Sequence, residues 1–166
     1  RNRGSTSGGI SFFGASGTVG GSTFIGNEGG SAGAINAAGA TIQIAESVFV
    51  GNRATSAVGG AIRAIDLGAD LTDVLIQRSK FVNNVAAGGA CCGGAIGVIT
   101  ADGTVDVRLE DSTFEGNQAQ TGGAVYVEDS GAPTTASLAI SGSYFGANTA
   151  RADGGAVRGR AVTVEN

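Results

Sequence analysis

Three observations predict an all-β solenoid, a parallel β-helix of about five coils with three short strands per coil. A six-residue phrase, Ser-x-Phe-x-x-Asn, occurs five times, at Ser22–Asn27, Ser47–Asn52, Ser79–Asn84, Ser112–Asn117 and Ser143–Asn148. Its Phe positions step by 25, 32, 33 and 31 residues, a period that marks stacked repeats. A second phrase, Gly-Ala-Ile or Gly-Ala-Val, follows each copy, at Gly33–Ile35, Gly59–Ile62, Gly93–Ile96, Gly122–Val125 and Gly154–Val157.

The Ser-x-Phe segment supplies one strand of each unit. Equivalent residues in successive coils lie about 4.8 Å apart. Phe24, Phe49, Phe81, Phe114 and Phe145 are therefore expected to form one internal aromatic column. Asn27, Asn52, Asn84, Asn117 and Asn148 are expected to form an amide ladder, each side chain donating to the next coil. Burial at an inward turn explains both columns without a ligand, so they read as structural ladders.

The Gly-Ala-Ile segment supplies the second strand. Its Ala is a small inward residue that leaves room beside the rings, and its glycines permit close backbone approach. The third strand precedes each later Ser. Three places before it stand Ile44, Ile76, Leu109 and Ile140, and five places before it Ile42, Val74, Val107 and Leu138. Between them lie Gln43, Leu75, Arg108 and Ala139. Apolar residues two apart, with mixed residues between, describe a strand with one buried face. No segment has the length or the 3.6-residue period of a helix. Length variation is confined to the connections. The single proline, Pro133, sits in one of them, as expected where central strands must donate every amide.

The ends break the pattern. Residues 1–21 read as an N-terminal segment and residues 22–166 as the repeat domain. Ser11-Phe12-Phe13-Gly14-Ala15-Ser16 parallels Ser143–Asn148, but it precedes Ser22 by only 11 residues, too few for a coil. It is expected to be an orphan strand. At the other end, Val162 and Val164 take the apolar places of the third strand, and the chain stops at Asn166, where a Ser would follow. One expectation is strand donation, with Ser11, Phe12 and Phe13 of one copy completing the coil opened at Val162 and Val164 of another. Repeated head to tail, that contact gives a homo-oligomer or fibril. The other expectation is an excerpt of a longer solenoid.

Composition narrows the function. The chain has no His, Met or Trp, and its 10 basic and 14 acidic residues give a net charge of −4. A basic footprint for nucleic acid is missing. No run of apolar residues is long enough for a membrane-spanning helix. Low charge with abundant Gly, Ala, Ser and Thr fits an extracellular or cell-surface location. No cofactor is expected. The only cysteines, Cys91 and Cys92, are adjacent, and without His they lack further metal ligands. They read either as a vicinal disulfide, which demands a distorted backbone, or as two thiols on opposite faces.

Catalysis on such a scaffold needs clustered carboxylates with an Arg or Lys base. The acidic residues Asp66, Asp70, Asp73, Asp102, Asp106, Glu110, Asp111, Glu128 and Asp129 fall in variable loops or beside strands, without recurring at one position in adjacent coils. The nearest approach to a patch is Asp106 or Glu110 beside Asp73. No catalytic and no metal residues are therefore assigned. An ice-binding face is not supported either, because Thr23 and Thr113 are interrupted by Val48, Lys80 and Tyr144.

Phe49-Val50-Gly51-Asn52 with Gly59-Gly60-Ala61-Ile62, and Phe114-Glu115-Gly116-Asn117 with Gly122-Gly123-Ala124-Val125, resemble the repeats of the chlamydial polymorphic outer membrane proteins. Related bacterial surface proteins with right-handed parallel β-helices carry similar repeats. Gly146-Ala147-Asn148 and Ser31-Ala32-Gly33 depart slightly from the pattern. The resemblance implies a right-handed coil and a role like that of an autotransporter passenger implicated in adhesion. Two functional classes result. One is a structural or adhesive surface solenoid whose partners are itself, surface glycans or cell receptors. The other is a carbohydrate-binding or polysaccharide-degrading β-helix. The dispersed carboxylates favour the first.

Overall fold

The computed structural model describes residues 1–56, 58–68, 71–89, 92–128 and 135–165. None of them is helical, so none forms an apolar helix that could cross a membrane. They form 23 strands in four sheets of six, six, six and five strands, and every pairing is parallel. The chain visits the four sheets in the same order on each circuit, which makes the molecule a β-solenoid.

The Ile sheet contains Ile10–Phe13, Ile35–Ala38, Ile62–Ile65, Ile96–Ile99, Val125–Val127 and Val157–Arg158. The long sheet contains Ser16–Gly20, Thr41–Ala45, Leu71–Gln77, Thr104–Glu110, Thr135–Ser141 and Val162–Glu165. The Phe sheet contains Thr23–Ile25, Val48–Val50, Lys80–Val82, Thr113–Glu115 and Tyr144–Gly146. These are the three strands read from the repeat. A fourth, the corner sheet, follows each Asn and contains Arg3–Gly4, Glu28–Gly29, Arg53–Ala54, Val85–Ala86, Gln118–Thr121 and Thr149–Asp153. Most of its strands have only two residues, too few for an alternating pattern to appear in sequence.

One continuous core runs up the middle. Ile42, Val74, Val107 and Leu138 share one inward row, and Ile44, Ile76, Leu109 and Ile140 share another. Two corners of each circuit turn through left-handed backbone. One is the residue before Ser: Gly21, Glu46, Arg78, Asp111 and Gly142 all have φ between 45° and 54°. The other is the residue before Asn: Gly26, Gly51, Asn83, Gly116 and Ala147, with φ between 52° and 64°. Glycine suits both places because it has no Cβ to collide with the following carbonyl. The glycine before each Ala has a different reason. A Cβ on Gly60 would run into the carbonyl oxygen of Gly94, and one on Gly94 into that of Gly123.

The N-terminal segment is corrected by the structure. Ile10–Phe13 is not an orphan strand, and the boundary between residues 21 and 22 has no structural counterpart. Ile10 pairs with Ile35 and Ser11 with Asn36, so this strand continues Gly8-Gly9-Ile10, an earlier copy of Gly-Ala-Ile. Residues 3–20 are the first three strands of the first circuit of the same stack, which Thr23–Ile25 completes. Phe12 stands in register with Ala37, and Gly17 with Ile42. A Cβ on Gly17 would meet the Phe12 ring. The large residue has moved from the long sheet to the Ile sheet, and the core volume is kept.

Candidate functional site

The interior columns leave no group for a ligand. The five Phe rings stack with centroids 4.6–4.8 Å apart and planes within 7° of parallel. In the Asn column, the backbone N–H and Nδ2 of each residue donate to Oδ1 of the next. The distances are 2.9 and 3.0 Å from Asn52 to Asn84, and 3.0 Å for both from Asn84 to Asn117. Asn27 donates likewise to Asn52, and Asn117 to Asn148. The second Nδ2 hydrogen reaches the Phe carbonyl of the preceding circuit, as from Asn84 to Phe49 at 3.0 Å. Asn2 adds a rung below Asn27.

A third column escaped the sequence reading, although its residue opens every repeat. From Ser47 onward each Ser Oγ accepts the backbone N–H of the Ser in the preceding circuit, and all five donate to the carbonyl two residues before their own position. Ser79 Oγ does both, at 3.1 Å from Ser47 N and 2.9 Å to Gln77 O. The fixed Ser just after a left-handed corner was the available signal.

Function must therefore lie on the outer faces. On the long sheet, Asp73 and Asp106 stand side by side in adjacent circuits, because each lies six residues before its Ser. The sequence reading, which found no recurrence of acidic positions, is corrected here. The pair does not act as two free carboxylates. Arg108 Nη2 donates to both oxygens of Asp73 at 2.8 and 3.0 Å. Ser137 Oγ donates to Asp106 at 2.5 Å, and Gln77 Nε2 to Glu110 at 2.7 Å. Asp66 is buried and accepts the backbone N–H groups of Ala101, Asp102 and Gly103, clamping the turn of the next circuit. Asp102 and Asp111 are exposed, and Glu128 is half-buried. Asp70 and Asp129 lie outside the described residues. Among the described residues no three His, Cys, Asp or Glu side chains gather as a metal site.

Cys92 is buried with Ala86 and Ala119, and its Sγ donates to the Gly89 carbonyl at 3.5 Å. Cys91 lies outside the described residues, and with it the vicinal disulfide. Of the assembly residues, Ser11, Phe12 and Phe13 are in the first circuit, while Val162 and Val164 pair with Leu138 and Ile140.

One concave feature that combines charge with open space is a groove of about 350 Å³ on the corner sheet. Ala86 and Ala119 lie along it, Ala87 and Gly88 form one wall, and Arg53, Gln118, Gln120 and Arg151 project polar groups into it. Arg53 and Arg151 stand three strand steps apart, about 14 Å along the axis. Neither takes part in an ion pair among the described residues. Two guanidinium groups and two amides offer hydrogen bonds to an extended anionic chain. The sequence hid this groove, because its residues sit on very short strands and an insertion loop.

Other charged groups are tied locally. A hydrogen bond from Arg1, with Arg3 nearby, holds the Glu28 carboxyl below its usual range. The Asp153 carboxylate holds the Arg158 guanidinium above its usual value, and that guanidinium lies 5.6 Å from the Tyr126 ring centre.

The Chlamydia polymorphic membrane protein repeat matches residues 111–128, which include Ser112–Asn117 and Gly122–Val125. No curated protein and no solved structure matches the chain.

Proposed function

We propose that this chain is a structural segment of a surface-exposed, adhesive β-solenoid, and that the Arg53–Arg151 groove is its contact for acidic glycans. The observation that carries this reading is the state of the carboxylates. Asp66, Asp73, Asp106 and Glu110 are each engaged by a neighbouring circuit. A hydrolase needs two carboxylates facing each other across a substrate-sized gap, and a lyase needs a base beside a bound cation. The similarity of residues 111–128 to a repeat of chlamydial membrane proteins supports a surface setting.

The test is to mix the purified chain with polyuronates and sulfated oligosaccharides, measuring both retention and product. Retention is expected, weakened at least tenfold by Arg53→Glu with Arg151→Glu, and no chain cleavage is expected. Cleavage that disappears in Asp106→Asn would replace this reading with the enzymatic one.

We propose self-association in a revised form. Ile10–Phe13 is already paired within its own molecule, so a contact between copies would join coil to coil instead of donating a strand. Exposed Phe13 and Ile25 at one end, and Tyr144 and Val164 at the other, would supply it. Sedimentation equilibrium that stays monomeric at high concentration would rule this out.

A further inference from the structure

The middle of the outer face of the Ile sheet is covered, while its end strands are exposed. Its outward row runs through Ser11, Asn36, Arg63, Gly97, Tyr126 and Arg158 in successive circuits. The backbone of Val58 lies where a Cβ on Gly97 would go, and the Leu67 side chain packs over Gly39. The connections before Gly59 and after Ile65 thus fold back over the sheet. Asn36 beneath them is 0% exposed.

Arg63 Nη1 donates to Asn36 Oδ1 at 2.9 Å. Two donors beside that bond stay unmet. Asn36 Nδ2 and Arg63 Nε are both buried with no hydrogen-bond partner. No carboxylate pairs with Arg63 among the described residues. Burial without a counter-charge pushes this guanidinium below its usual value. Buried polar groups in native proteins are nearly always hydrogen-bonded, and a buried cation is nearly always paired. Two orphan donors, one of them on a cation, share the need for a single anionic acceptor.

We infer that Arg63 and Asn36 form a binding site for a small free carboxylate, held by Arg63 Nε and Asn36 Nδ2. Burial of both donors favours an anion the size of formate or acetate over a carboxylate carried on a polymer. Arg63 is only part-buried, so the guanidinium gives the site its path to solvent. The site is separate from the Arg53–Arg151 groove, and either can fail without the other.

The experiment is thermal unfolding of the full chain in formate, against chloride at equal ionic strength, with an oligouronate as a third arm. Formate at ten times its dissociation constant is expected to raise Tm by about 3–6 °C. The oligouronate is expected to give no increment through this site. Arg63→Gln should abolish the formate effect. Asn36→Asp places an acceptor beside the guanidinium, so it should raise Tm without formate and remove the response to it. Asn36→Asp remains informative even where Arg63→Gln does not fold. A formate response unchanged in Asn36→Asp, or no response in the native chain, would overturn the inference. An increment from the oligouronate that is lost in Asn36→Asp would overturn the restriction to small anions.

Discussion

Asn84→Ala probes the interior ladder at its centre. Asn84 is fully buried. Its Oδ1 accepts Asn52 N at 2.9 Å and Asn52 Nδ2 at 3.0 Å, and its Nδ2 donates to Phe49 O and Asn117 Oδ1, both at 3.0 Å. Alanine removes all four bonds. Asn52 Nδ2 keeps the Phe24 carbonyl, and Asn117 Oδ1 keeps the Asn84 backbone N–H. The Asn52 backbone N–H is left without its acceptor, at about 1–3 kcal/mol, and the other three bonds contribute about 0.5–1 kcal/mol each. The expected loss is about 3–5 kcal/mol, read from the shift of the urea midpoint at constant slope. Asn27→Ala, at the less buried end of the column, should cost about half as much. Asn84→Asp refines the test. It keeps Oδ1 but sets a carboxylate oxygen against Phe49 O and Asn117 Oδ1, which raises the folded-state pKa above the unfolded value. Its stability should be highest below the unfolded pKa and fall as pH rises through the folded one. A loss under about 1 kcal/mol for Asn84→Ala, or one equal to that of Asn27→Ala, would refute the assignment of stability to this column.

Three further outcomes follow from single residues. Asp66→Asn replaces an acceptor of three backbone N–H groups with one that must turn an amide toward them, so it should cost about 2–4 kcal/mol in chemical denaturation. Ala147→Gly relieves a left-handed corner at φ 52°, and thermal unfolding should show a gain of about 0.5–1 kcal/mol. Glu28 has a lowered folded-state pKa, so its contribution is present above the unfolded value and lost as pH falls through the folded one. Glu28→Gln should flatten that part of the acid limb in a Tm–pH profile, and added salt should reduce the difference.

The Ser-x-Phe-x-x-Asn period made the solenoid legible, because each of its apolar residues keeps one place relative to its Ser. The long sheet followed for the same reason: residues three and five before Ser are inward in every circuit from Ile42 onward. The first circuit was misread because Ser11-Phe12-Phe13 imitates the Phe strand, whereas its pairing follows Ile10. Exchange of Ala37 and Ile42 for Phe12 and Gly17 preserves volume but destroys the sequence signature. Most corner strands were invisible, since two residues cannot alternate. The groove and the Arg63–Asn36 pair depend on connections that fold over the sheets, and periodicity says nothing of where an insertion lies. Asp73 and Asp106 share the same offset from Ser, so their pairing was readable. The ion pair of Asp73 with Arg108 and the hydrogen bond from Ser137 to Asp106 required side-chain geometry.

Cross-linking across the long sheet tests the stacked register most directly. Gln43, Leu75 and Arg108 occupy one outward row in three successive circuits. Neighbours in that row are about 4.8 Å apart and the outer two about twice that, while a disulfide needs Cα atoms within about 4.4–6.8 Å. In a Cys91→Ala, Cys92→Ala background, Gln43→Cys with Leu75→Cys and Leu75→Cys with Arg108→Cys should each oxidise to a disulfide in the folded chain. Gln43→Cys with Arg108→Cys should not. Equal cross-linking of all three pairs, or of the outer pair alone, would contradict a stack in which each repeat forms one circuit.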